Sequence, residues 1–185
     1  MPVYSLEARR ILRSALFVTI TLAVSQFVEA SEMTIVFRKS EPHTLTSTEL
    51  VKLSVGDSAV VEVWARPRVN HTKIAVVEGT GYRFHVPEGQ TWTDWFIRCG
   101  ANGYSHSALS FMQDRFRSTK PLPDKNWFAL VGAIDSPQRK PFLIGTGAFV
   151  CPMPGTGELI LFANDARCFY WNNFGRIQVI VTRIH

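Results

Sequence analysis

The sequence lacks the features that make most enzymes legible at first reading. It has no GxSxG elbow, no HExxH pair and no GxxxxGK[ST] loop, so the common hydrolase, zincin and nucleotide-phosphate chemistries have no motif to stand on. The glycine pairs at 145 to 147 and 155 to 157 lack a following lysine or helical pattern and read as turns. Cysteine is scarce. Cys99, Cys151 and Cys168 form no CxxC pair, which removes zinc-site spacing, and the five histidines (43, 71, 85, 106, 185) fall at no metal-ligand spacing either. Charge of one sign is also wanting: 20 basic against 15 acidic residues give a formal net charge of +5. Because the bases are spread along the chain, a nucleic-acid footprint is not expected; only RPR (66–68) and DRFR (114–117) form local positive patches.

The apolar run ALFVTITLAV (15–24) is too short to span a bilayer comfortably. It fits a targeting segment. Arg9, Arg10 and Arg13 flank it, and Val28-Glu29-Ala30 offers small residues where a signal peptidase cuts. Cleavage near Ala30 and a secreted or periplasmic destination are expected, with no membrane span afterwards. The alternative is a membrane-anchored helix from Ile11 to Val28, which Arg13 and Gln26 interrupt. Cleavage takes three Arg and two Glu from the totals and leaves a charge of +4 on a single mature domain, 31–185. In an exported chain one disulfide with one thiol left over is expected, and a bonded Cys168 would brace the segment around it.

Short apolar or alternating stretches recur between Gly, Pro, Asn and Asp: MTIVF (33–37), AVVEVWA (59–65), KIAVVE (73–78), YRFHV (82–86), WFALVGAI (127–134), FLIGTG (142–147), ELILFA (158–163) and RIQVIVTRI (176–184). Their period of two puts Tyr82, Phe84 and Val86 on one face, and Ile177, Val179 and Val181 on another. The pattern predicts an all-β fold, a single β-sandwich of jelly-roll-like character. Only HSALSFMQDRF (106–116) suits a short helix. The stretch 31–70 is less patterned and is assigned to the same domain. Trp64 and Trp127 are expected in the core, and Trp92 and Trp95 half exposed. Asn70-His71-Thr72 matches a glycosylation acceptor.

Between the last two strands lies NDARCFYWNNFG (164–175), with four short amide or carboxylate side chains at Asn164, Asp165, Asn172 and Asn173. A hairpin turn usually needs two such residues. A hard cation such as Ca2+ wants six to eight oxygens from carboxylates, amides and carbonyls. Asp165 would supply the charge, Asn172 and Asn173 could both face one ion if the backbone bends, and Gly175 would allow the bend. An Asx-rich hairpin without any ion satisfies the composition equally well.

GELILFANDARCFYWNNFGRIQVIV resembles the C-terminal signature of the bacterial galactophilic lectins, calcium-dependent, galactose-binding β-sandwiches (galactose-binding-domain-like), in which a strand ends in Asn-Asp and Tyr-x-Asn-Asn-x-Gly precedes the last strand. The resemblance is strong over 155–184, extends loosely back to about His71 through TGYRFHVPEGQTWTD and NWFALVGAI, and leaves 31–70 uncovered. It implies that Asp165, Asn172 and Asn173 coordinate calcium through side chains and Phe169 through its carbonyl oxygen. A further backbone carbonyl would fall near Trp92 to Asp94. In that family two sugar hydroxyls complete the coordination while Asp and Asn oxygens accept hydrogen bonds from them. This chain departs from the pattern: the family's His and Gln give way to QDRFRSTKPLPDK (113–125), with Arg115, Arg117, Ser118 and Lys120. Ala166-Arg167-Cys168-Phe169 replaces small polar residues, and Phe169 and Trp171 add bulk.

The expectation is therefore an exported carbohydrate-binding module, without enzymatic activity, that takes a sugar diol of a galactoside or other glycan through one Ca2+ ion. Asp165, Asn172, Trp171, Arg115 and Ser118 would meet the sugar. Self-association, which gives small lectins avidity, is compatible with this reading. Two rivals stand beside it: a structural or interaction domain that calcium merely stabilises, and a glycoside hydrolase built from two of Asp94, Asp114, Asp124, Asp135 and Asp165.

Overall fold

The computed structural model describes residues 49–105, 107 and 110–185, with the backbone alone at Ser110 and Met112. The targeting segment, the strand expected at 33–37 and the polar stretch up to Thr48 lie outside the described residues.

Among the described residues, ten strands and one short helix follow in chain order: β1 (Ser58–Trp64), β2 (Asn70–Val76), β3 (Tyr82–His85), β4 (Trp92–Asp94), β5 (Ile97–Cys99), α1 (Ser110–Phe116), β6 (Leu130–Ile134), β7 (Phe142–Leu143), β8 (Gly147–Val150), β9 (Gly157–Ala163) and β10 (Asn173–Arg183). They pair antiparallel in two sheets. One runs β5-β4-β10-β3-β8 with β1 also on β10, and the other β2-β9-β6-β7. The all-β sandwich is thus realised. β4 and β5 went unrecognised because three residues show too little alternation to be seen in a sequence, and β8, Gly-Ala-Phe-Val, because it carries no polar-apolar alternation of the kind that marks four-residue β3.

Alternation decides what each strand buries. Val63, Tyr82, Phe84, Ile177, Val179 and Val181 of the first sheet share one apolar cluster with Ile74, Val76, Leu130, Ile134, Leu159 and Leu161 of the second. Each such side chain withdrawn from water stabilises the fold by roughly 1.5–3 kcal/mol. The outer face of the second sheet is apolar as well, and Val131, Ala133, Ile160 and Phe162 lie under Val69 and Leu122. Both faces of β6 and β9 are therefore covered, which explains their unbroken apolar sequences. From residue 49 onward the less patterned region belongs to this sandwich: Val51 bridges Ile74 and Leu53 enters the core.

Period two also corrects two tryptophans. Val63 points inward, so Trp64 points outward, exposed, with the Arg176 guanidinium over its ring at 4.8 Å. Trp92 is buried against Phe128, ring centroids 5.2 Å apart, because it takes the inward register of β4. Trp127 is buried and Trp95 exposed, as expected. All three cysteines are free thiols, contrary to the expected disulfide. Asn70 of the glycosylation triplet is buried with its amide donating to Trp64 and Leu161 carbonyls, so it closes the β1–β2 connection and has no nitrogen to offer a glycan.

Candidate functional site

The inward register that buries apolar side chains along β10 also buries a polar one at its start. Ile177, Val179 and Val181 face the core, and counting back by twos reaches Asn173, with no exposed surface at all. Its cross-strand partner is Asp94, two residues after inward-facing Trp92. The strand register therefore carries an amide and a carboxylate, facing the same way, into one end of the sandwich. Asp165, 1% exposed, comes to them from the β9–β10 connection.

That connection holds its shape through backbone contacts rather than a disulfide. A 3-10 turn, Tyr170–Asn172, reverses the chain. The Tyr170 hydroxyl donates to the Ala163 carbonyl at 2.5 Å, and the Phe169 ring meets Phe116 edge-on at 4.9 Å. This turn makes the bend that the tandem amides require. Gly175, at φ +86°, adds a second bend in β10, and a side chain there would be strained by its backbone conformation.

The hydrogen bonding around the site is incomplete: two amide oxygens and the Trp92 indole N–H are buried without partners. Asn173 Nδ2 donates to Asp165 Oδ2 at 2.9 Å and to the Ala65 carbonyl at 3.4 Å. Two acceptors around that atom fix the amide orientation, so Oδ1 is the atom left over. It is buried without a partner, and so is Oδ1 of neighbouring Asn172. A buried carbonyl-type oxygen with no donor costs about 1–3 kcal/mol, so Asn173 Oδ1 beside Asp165 is a local demand for positive charge or an N–H or O–H donor.

The carboxylates deepen that demand. Burial first, then the nearby Asp94 charge, push the Asp165 carboxyl up to about 7, against the contrary pull of Asn173, the Ala166 N–H and Lys120. Burial raises Asp94 as well, opposed by the Tyr104 hydroxyl that donates to its Oδ2. Tyr104 accepts in turn from Gln113 Nε2 at 3.0 Å, which ties the site to α1. Among the described residues no three His, Cys, Asp or Glu side chains gather as a metal cluster. The donor set here is of another kind, two acids and two amide oxygens, and hard oxygen donors of that sort fit calcium.

Of the residues singled out in the sequence, Asp165 and Asn173 are joined here by a hydrogen bond, and Asn172 precedes Asn173 at the end of the 3-10 turn. Phe169 opens the 3-10 turn, and its carbonyl accepts the Asn172 N–H at 3.2 Å. Asn164, which the same oxygen count had included, faces away and binds backbone at Leu122 and Asn126. Asp94 was legible as one of five acids open to a hydrolase role and as the end of the stretch where the resemblance put a backbone carbonyl, but not as a side chain of this site. Its strand register, hidden in three residues, is what brings it in. Asp114 pairs with Arg117 on the surface, and Asp135 is spent on Arg139 and the Glu158 N–H.

Beside the site a cleft of about 360 Å3 opens between four connections: Arg68, then Ser118 to Pro121, then Pro137, Gln138 and Pro141, and finally Asp165, Arg167 and Tyr170. Ser118 thus shares a cleft with Asp165. Arg115 is exposed on α1 and does not line it. Trp171, 68% exposed, projects from the 3-10 turn, and Trp95, whose N–H binds the Asn172 carbonyl at 3.2 Å, is 56% exposed and packs on Phe96 at 4.9 Å. Large rings left in solvent around a polar site are not a requirement of the core.

No helix among the described residues is long and apolar enough to cross a membrane. No family model and no curated protein match the chain. Among solved structures, a domain described as "EclA N-terminal domain; PllA-like lectin" superposes with a TM-score of 0.49 at 17% identity, over 67% of this chain and 94% of that one.

Proposed function

We propose that this chain is a carbohydrate-binding module that takes a sugar diol at one Ca2+ ion, with Asp165, Asn172, Asn173 and Asp94 as the side chains that would hold the ion. The observation that carries the reading is the buried, unpartnered Asn173 Oδ1, on the amide whose nitrogen holds Asp165, a carboxyl that burial disfavours as an anion; Asn172 Oδ1, next in the chain, is buried and unpartnered as well. Bound calcium would supply positive charge to all of them and leave coordination positions for neutral hydroxyls, which lose little on leaving water compared with charged ligands. The chain's own residues set the rest. Asn173 Nδ2 orients Asp165, Tyr104 orients Asp94, and the exposed faces of Trp171 and Trp95 offer the C–H side of a sugar an apolar platform. The lectin-like sequence from Gly157 through the last strand supports the same reading.

The burial of Asn173 and Asp165 favours a second reading, an ion that only braces the β9–β10 connection. One pair of measurements separates the two. Calcium should raise the melting temperature of the wild-type chain and leave Asp165→Ala unmoved. A glycan array read with calcium and again with chelator should then show retention that chelation abolishes. A melting shift with a silent array would select the bracing role, and glycan retention indifferent to chelator would rule out the calcium-diol mechanism.

A further inference from the structure

The cleft beside the proposed ion site carries more positive charge than a neutral sugar can use. Arg68, Lys120 and Arg167 all line it, and Asp165 is the one acid among its lining residues. Arg68 comes from the RPR patch, far from the others in sequence. Lys120 is 4% exposed. Its ammonium donates to the Lys125 carbonyl at 2.6 Å and sits 4.4 Å from the Trp127 ring centroid. Among the described residues, the ion pairs engage His71, Arg117, Arg139 and Arg176, and none engages these three cations. A buried cation without a carboxylate partner is expensive to maintain. Burial, and Arg117 next, push the Lys120 ammonium down to about 8. Ser118 and Thr119 add hydroxyls to the same wall and Gln138 an amide to the opposite one, groups suited to the remaining oxygens of an anion.

We infer that this cleft selects glycans bearing an anionic substituent, a carboxylate or a sulfate, which Arg68, Lys120 and Arg167 would receive while the sugar ring lies at the neighbouring site. The inference rests on the carbohydrate-binding reading above. Guanidinium forks match the two oxygens of a carboxylate or sulfate, and contacts of that kind are about twice as strong as neutral ones. With calcium at Asp165, the single opposing charge in the cleft is neutralised, so the acid would be welcomed only by the loaded protein. Such a preference replaces the neutral-sugar specificity that a His and Gln would give, and of the basic residues at 115–120 it gives Lys120 a role.

The test is an array on which each acidic glycan stands beside its neutral parent: uronates beside their methyl esters, sialylated beside desialylated, sulfated beside desulfated, all with calcium and the full chain. The acidic member should bind about tenfold more tightly, and Arg68→Gln or Arg167→Gln should remove that margin while sparing the neutral member. Arg83→Gln, an exposed charge outside the cleft, should keep it. The carboxylate and sulfate arms identify which anion is taken. Equal binding of acidic and neutral members overturns the inference and leaves the glycan reading intact. A margin that survives in both cleft variants, or falls equally in Arg83→Gln, overturns it too. Silence across the array, calcium present, overturns both readings together.

Discussion

Asn164 and Asn173 lie nine residues apart in the same polar segment, both with no exposed surface, and they do opposite things. Asn164 spends its whole amide on backbone: Oδ1 accepts from the Leu122 N–H at 3.0 Å, and Nδ2 donates to the Leu122 and Asn126 carbonyls at 2.9 Å each. It staples the 120–126 segment onto the end of β9. Asn173 spends only its nitrogen and leaves an oxygen unpartnered, as does Asn172. Side chains of equal polarity and burial thus divide into a staple and a socket. Composition registers both as oxygen in a loop, but only the donor-acceptor balance separates turn chemistry from a site.

Breaking the staple should have the largest effect. Asn164→Ala deletes three hydrogen bonds and leaves the Leu122 N–H without its acceptor, whereas the Leu122 carbonyl keeps the Lys125 N–H at 3.2 Å and Asn126 is exposed. The expected loss is about 3–5 kcal/mol by urea denaturation, the same with calcium or with chelator. A loss under about 1 kcal/mol, or one that calcium restores, would show that Asn164 belongs to the site after all.

The acid between the two regions should give a smaller, pH-dependent effect. Folding raises the Asp165 carboxyl to about 7 from an ordinary value near 4. Between those values the folded, metal-free chain holds a proton that the unfolded chain has released. Stability therefore falls as pH rises through that window and levels off above about 7. Asp94 acts in the same direction, being raised by burial. Lys120 acts in the opposite sense above about pH 8, where its depressed ammonium makes the fold recover as pH climbs further. Asp165→Asn keeps the acceptor for Asn173 and removes the charge. In chelator at pH 8 it should be more stable than wild type by on the order of 2–3 kcal/mol, shrinking to near zero at pH 4. It should also lose the calcium-induced melting shift. A variant less stable than wild type at pH 8 in chelator would mean that the carboxylate is already compensated, and the argument for an ion would lose its electrostatic half.

Much of this architecture was visible in the residues. Strands announce themselves through alternation, as Ile177-Val179-Val181 does in long β10 and Tyr82-Phe84 does even in four-residue β3, or through unbroken apolar runs where both faces are covered, as in β9. Asp165 and Asn173, which the structure buries in hydrogen-bond contact, were legible as part of an unusual density of oxygen. Asp94 was obscured, since three residues of β4 cannot display a period, and the inward position of Trp92 that fixes Asp94 depends on pairing with β10 some eighty residues away. The cleft was hidden for the same reason: Arg68, Lys120 and Arg167 converge only when the connections after β1, α1 and β9 come together. Local pattern reveals which face a strand buries, whereas the meeting of distant connections is written in no single segment.

The smallest predicted effect makes the comparison sharpest. Asn172 Oδ1 has no partner to lose, so Asn172→Ala should lower metal-free stability by no more than about 0.5 kcal/mol, and relief of the unpartnered oxygen can raise it, against a loss of several for Asn164→Ala. The same change removes one of the amide oxygens that would face the ion, and the calcium concentration giving the half-maximal melting shift should rise by at least roughly tenfold. The two readouts separate structure from recognition within one residue. If metal-free Asn172→Ala is as unstable as Asn164→Ala, then that oxygen finds a donor in solution, and the distinction between staple and socket collapses. If stability holds and calcium affinity is unchanged, the ion is gripped without this amide, and the site must be rebuilt around Asp94 and Asp165.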